Sequence, residues 1–179
     1  EQDLQSAVAA GAISHDAAEA LRAHATGLRN APSADEEHFR LITGFNDIFV
    51  TIAAVLLLVA AAGIGNAIAP GVPGLLIAGS AWGLAEFFTA RRRMALPSIV
   101  LLLAFVGGVA SIPINIIAEA ELNWSQATNA LIGSGIGLLA AAAAWLHWRR
   151  FMVPITVAAG AGALAVTLIA LIVSGLTAI

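Results

Sequence analysis

Few residues in this chain could do chemistry, and they fall into three groups. "SHDAAE" sets His15 and Glu19 at i, i+4 spacing on one helical face, and "DEEH" sets Asp35 beside His38. Histidine and carboxylate so placed are metal-ligand types, but neither pair has a third ligand at a fixed spacing, and both read as solvated faces of a polar segment. The third group is Glu86 in "LAEFFTARRR", a carboxylate at the end of an uncharged run and five residues before Arg91. An ionisable group inside a membrane span is by default a candidate site, for a proton or a cation. At about 1.5 Å per residue, Glu86 lies roughly 7–8 Å along the helix axis from Arg91, close to the headgroups. There it can pair with Arg93 or, across helices, with Arg149 or Arg150, and the ion pair is the simpler reading.

The remaining chemistry is sparse. There is no cysteine, which removes disulfides, thiolate metal sites and cysteine nucleophiles. No nucleophile elbow, phosphate loop or zinc-protease motif occurs, so no catalytic residue, metal or cofactor is assigned and the chain reads as non-enzymatic. A net charge of −3 gives no case for nucleic acid.

The elements that carry these residues follow from hydropathy. Hydrophobic residues make up 60% of the 179, charged residues only 11%, and the mean hydropathy is +0.92, more than a water-soluble fold can cover. The first 46 residues differ: with Asp47 they hold eight of the eleven acidic residues, and they hold three of the four histidines. "LQSAVAAGAISHDAAEALRAHA" predicts two short helices joined at Gly11, with Ser14 as N-cap, and Pro32 and Ser33 predict a linker. A third helix is expected from Asp35, lying along the membrane surface, with Asn46 and Asp47 capping the first span.

From Ile48 to Ala85 there are 38 residues without charge. As one helix these would reach roughly 57 Å, nearly twice the hydrocarbon core of about 30 Å, so they must fold back. "NAIAPGVPG" supplies the break through Pro70, Gly71 and Pro73. The expected spans are 48–67, 74–90, 96–118, 128–147 and 153–176, with Pro97 in a first turn and Pro113 kinking or ending the third span. The expected architecture is therefore all-α: a polytopic helical membrane protein, with a small amino-terminal helical segment (1–46) and a bundle of five transmembrane helices (47–179).

All eight basic residues are arginine. Arg22, Arg29 and Arg40 precede the first span, Arg91, Arg92 and Arg93 join the second and third, and Arg149 and Arg150 join the fourth and fifth. Alternating spans put all of them on one face, and the positive-inside rule makes that face, with the amino terminus, cytoplasmic in a bacterial inner membrane. Glu119 and Glu121 fall on the opposite face. No basic region followed by a short apolar run is seen at the start, so no signal peptide is expected in these residues. The uncharged run from Phe151 to Ile179 ends without a polar tail, so the native chain is expected to continue.

Two patterns concern packing. Gly79 with Gly83, and Gly133 with Gly137, are small-xxx-small pairs that let helix backbones approach closely, inside the bundle or against a partner. "RRMALP" (92–97) matches "RRFMVP" (149–154) at an offset of 57, either a weak parallel repeat of hairpins or two turns with the same needs. Trp82, Trp124, Trp145 and Trp148 read as interfacial anchors.

The stretches "LQSAVAAGAISHDAAEAL", "FRLITGFNDIFVTIAAVLLL" and "LAEFFTARRRMALPS" resemble bacterial multi-pass inner-membrane proteins catalogued only as a domain of unknown function. The resemblance covers the amino-terminal helices and the first three spans. It implies a small Gly-x-Ile-Ser helical pair followed by more spans than five, and no activity.

The function expected is that of an accessory or assembly subunit, in the lipid bilayer and bound to another membrane protein or to itself. The alternative is a component of a small-molecule or ion transporter or channel built from repeated hairpins. A transporter calls for several polar groups near the midplane, and Glu86 is the only charged residue within a span.

Overall fold

The computed structural model describes residues 2–30 and 34–177, which are helical apart from turns and short connections. The helices are α1 (Gln2–Ala9), α2 (His15–Asn30), α3 (Ala34–Asn66), α4 (Val72–Ala85), α5 (Ala95–Glu119), α6 (Gln126–Phe151) and α7 (Ile155–Thr177). A π-helical turn, Glu86–Arg91, continues α4. By contacts the chain separates into two compact units, Glu1–Thr43 and Gly44–Ile179.

In the first unit the polar sequence forms a helical pair. Gly11 takes φ +67°, which glycine adopts without a Cβ penalty, and Ser14 caps α2 by accepting from the Ala17 N–H at 3.2 Å. Pro32 and Ser33 lie outside the described residues, as do the side chains of Arg29, Asp35, His38 and Arg40.

Among the described residues five helices are long and apolar enough to cross a membrane: Phe45–Asn66, Val72–Arg91, Ala95–Glu119, Gln126–Phe151 and Ile155–Thr177. This is the architecture of a polytopic helical membrane protein. Two expectations are corrected and a third is narrowed. The helix from Asp35 is not a separate element, because helical hydrogen bonding runs unbroken from Ala34 to Asn66. Asn46 and Asp47 accordingly cap nothing; they lie inside α3, where the Asp47 carbonyl accepts from Thr51 Oγ1 at 2.6 Å. Pro113 does not end α5, which continues to Glu119. Proline's φ is itself helical, so it costs one hydrogen bond and local crowding, and a membrane helix has little alternative to continuing.

The bundle is assembled from two hairpins, α4 with α5 and α6 with α7, which meet through α5 and α6. The α3–α4 turn uses Gly71 at φ +83°. Close approach of α4 and α5 rests on Gly74 and Gly108. A Cβ on Gly74 would lie 2.6 Å from the Gly108 carbonyl oxygen, and one on Gly108 would lie 2.8 Å from the Ala78 nitrogen. Ala54 and Leu58 of α3 join Ala78, Ala81, Ala85, Leu101, Phe105 and Ala143 in the core. Small residues dominate because van der Waals contact between backbones, not expulsion of water, drives helix association in lipid.

Candidate functional site

The arginine turns bring the structure's unusual features together. Regular α4 gives way at Glu86 to a π-helical turn, held by the Arg92 N–H donating to the Phe87 carbonyl at 3.0 Å. Such widened turns often mark functional sites, because they re-aim the side chains that follow. This one buries Thr89, whose hydroxyl has no hydrogen-bond partner. The chain then leaves the helix through Arg93 at φ +53°. The α6–α7 turn does the same at Met152, also φ +53°. A non-glycine residue in this left-handed region is strained by about 1 kcal/mol or more.

Glu86 closes the gap between the two turns. Arg150 donates to it through one edge of the guanidinium, Nε to Oε1 at 2.9 Å and Nη2 to Oε2 at 2.6 Å. Of the three arginines in reach by sequence, the structure thus selects Arg150, and a carboxylate expected to be a candidate intramembrane polar site is held in a bidentate ion pair. The pair remains partly exposed, with side-chain accessibilities of 53% for Arg150 and 36% for Glu86. Arg92 and Arg149 stack over the rings of Phe87 and Trp145, at 5.5 and 4.9 Å. Arg91 is exposed.

One turn deeper lies a residue to which the sequence assigned no role. His147 is fully buried, and neither ring nitrogen has a hydrogen-bond partner. It is enclosed by Phe151, Phe105 and Trp82, with ring centroids at 4.5, 5.8 and 6.2 Å. Trp82 is therefore half-buried and packs against the core, not simply an interfacial anchor. The available signal was positional: His147 is the only histidine outside the amino-terminal segment and stands one helical turn before Arg150.

Between the two arginine turns opens a crevice of about 690 Å³. Thr89, Arg93, Ser98, Arg150 and Met152 line it, so both strained turn residues border one space, while the Thr89 hydroxyl itself is buried behind its wall. Ser98 is already engaged, donating to the Met94 carbonyl.

No protein family, curated protein or solved structure matches the chain in comparison.

The glycine pairs divide. Gly137 lies against Thr167 and Ala163 of α7, where a Cβ would stand 3.1 Å from the Thr167 nitrogen, and Gly133 lies near Ala170. Both serve packing inside the chain. Gly79 and Gly83 face nothing: a Cβ on either would meet no atom within 4 Å. They share an exposed stripe of α4 with Leu75, at helical spacing, and half-buried Glu86 follows just below it; a groove of about 360 Å³ at the lower end is lined by Gly83, Glu86, Arg91 and Arg150.

In the amino-terminal unit His15 and Glu19 are exposed on α2, and among the described residues no three His, Cys, Asp or Glu gather as metal ligands would. The "RRMALP" and "RRFMVP" match does not extend to the backbone, since the left-handed residues Arg93 and Met152 stand 59 apart where the sequence offset is 57. That mismatch favours two turns with the same needs over a repeated hairpin.

Proposed function

We propose that this protein is a non-enzymatic accessory or assembly subunit of the bacterial inner membrane, docking another membrane protein's helix on the Gly79–Gly83 face of α4, with its arginine turns and amino terminus in the cytoplasm. The observation that carries this reading is the contrast among glycines. Gly74, Gly108 and Gly137 are filled by neighbouring backbone, whereas the Gly79–Gly83 pair, of the same small-xxx-small type, is left open toward the bilayer. A partner helix seated there would reach the Glu86–Arg150 pair, whose exposed oxygens and nitrogens offer it polar contacts at one end. The transport reading has less support: Thr51, Ser98, Ser134 and Thr167 all turn their hydroxyls onto carbonyls of their own helices and so do not line a polar path. The resemblance to the family of unknown function adds the expectation of further spans.

The test is site-specific photocrosslinking in native membranes. A photoreactive residue at Gly83 should give one discrete adduct with a membrane polypeptide, and the same residue at exposed Leu168 of α7 should give none. An adduct of twice the chain's mass identifies self-association, and equal, diffuse labelling at both positions overturns the docking face.

A further inference from the structure

We propose that the crevice between the two arginine turns binds a phosphate group, carried by the headgroup of an anionic lipid or supplied as free phosphate.

The argument begins with charge. The turns place Arg91, Arg92, Arg93, Arg149 and Arg150 at one end of the bundle, where the acidic residues of the membrane unit are Glu86 and Asp47. Most of that positive charge is spoken for. Arg150 is paired with both oxygens of Glu86, and Arg92 and Arg149 lie over aromatic rings. Arg93 makes no ion pair among the described residues and lines the crevice. Arg150 also lines it, and among the described residues Nη1, the third guanidinium nitrogen, has no hydrogen-bond partner.

Backbone geometry points the same way. Glycine would make the turn at φ +53° without strain, yet arginine stands there, so the turn pays for a guanidinium at that position. The opposite wall is set by a second strained residue, Met152, and the π-helical turn brings Thr89 into the lining. Two guanidinium groups match the several acceptor oxygens of a phosphate, which arginine binds in planar, bidentate fashion.

The crevice's level and walls favour a group attached to something apolar. Met94, Ile99, Phe151 and Met152 make much of its lining, and its volume of about 690 Å³ is far larger than one phosphate needs. It lies at the end of the spans, the level of lipid phosphates, where basic pockets between helices take anionic headgroups.

The experiment uses the full chain in detergent, examined by native mass spectrometry with dioleoyl-phosphatidylglycerol or dioleoyl-phosphatidylcholine at equal mole fraction, and by thermal unfolding with inorganic phosphate. Arg93→Gly removes the guanidinium while keeping a backbone that glycine prefers, so it folds. Arg91→Gln removes the same charge from an exposed position outside the crevice and controls for net charge. The expected result is retention of phosphatidylglycerol over phosphatidylcholine, weakened about tenfold or more in Arg93→Gly, the scale of one charge-assisted hydrogen bond lost, and little changed in Arg91→Gln. Protection by inorganic phosphate that Arg93→Gly abolishes supports the same site with a soluble source. No preference for either probe, or equal loss in the two variants, overturns the proposal.

Discussion

Replacing Gly108 with alanine tests whether α4 and α5 meet backbone to backbone. The added Cβ would stand 2.8 Å from the Ala78 nitrogen, 3.0 Å from the Gly74 carbonyl oxygen and 3.1 Å from Ile77 Cγ2. Ordinary contact between heavy atoms is about 3.5 Å or more, so the helices must part by roughly 0.5–0.7 Å. The first two atoms are backbone, so no rotamer change relieves them. A gap of that size forfeits about a quarter or more of each contact's attraction along the interface, and overpacking of this kind typically costs about 1–3 kcal/mol. Gly79→Ala is the matched control: the same chemical change on the neighbouring helix meets no atom within 4 Å. It should be neutral, or stabilising by up to about 1 kcal/mol through helix propensity. The assay is reversible unfolding of the purified chain in dodecylmaltoside micelles titrated with dodecyl sulfate, followed by the fluorescence of its four tryptophans. Trp82 packs on Phe105 at 5.0 Å between the same two helices, so it reports their separation directly. If Gly108→Ala is as stable as wild type, or Gly79→Ala loses as much, the close approach described for α4 and α5 is wrong.

Three further outcomes are expected. His147→Phe should stabilise the bundle by about 1–3 kcal/mol, because two buried nitrogens without partners are replaced by carbon in an aromatic enclosure of nearly the same shape; lower stability in the same titration would mean the imidazole is satisfied by something bound. A double-mutant cycle on Glu86→Gln and Arg150→Gln should give a coupling below about 1 kcal/mol, since the pair is partly exposed, and a coupling well above that would show the pair to be dry in the bilayer. A cysteine at Glu121 should react with an impermeant thiol reagent added outside intact cells and one at Arg92 should not; the reverse pattern would invert the proposed orientation.

The number and approximate limits of the spans were legible in the sequence, and so were the turns at Gly11 and Pro70–Pro73 and the gathering of the five turn arginines, Arg91 to Arg93 with Arg149 and Arg150, at one end of the bundle. All of these are one-dimensional signals. About 20 apolar residues are needed to cross a bilayer, and proline with glycine breaks a helix wherever the helix is packed. Pro113 shows the limit of such reading, because a lone proline within a long apolar run ends a helix only if the chain has somewhere else to go, and here α5 continues to Glu119.

What the sequence could not decide was rotation about the helix axes. These spans are apolar nearly all round, so no polar stripe marks which face is inside. Only the packed structure shows that Gly137 is filled by α7 while Gly79 and Gly83 are open, and that Trp82 packs against the core. Glu86 had three arginines in reach by sequence; its choice of Arg150 depends on how α6 stands beside α4. His147 was hidden for the same reason, since a polar residue one turn from the headgroups can face water or the core, and only its neighbours Phe105, Phe151 and Trp82 settle that it is buried. The π-helical turn removes the last legible cue. It changes the helical phase after Glu86, so the face occupied by Thr89 does not follow from α-helical spacing. Hydropathy and charge therefore determined where the chain crosses and which end carries the arginines; close packing of small residues decided what those arginines surround.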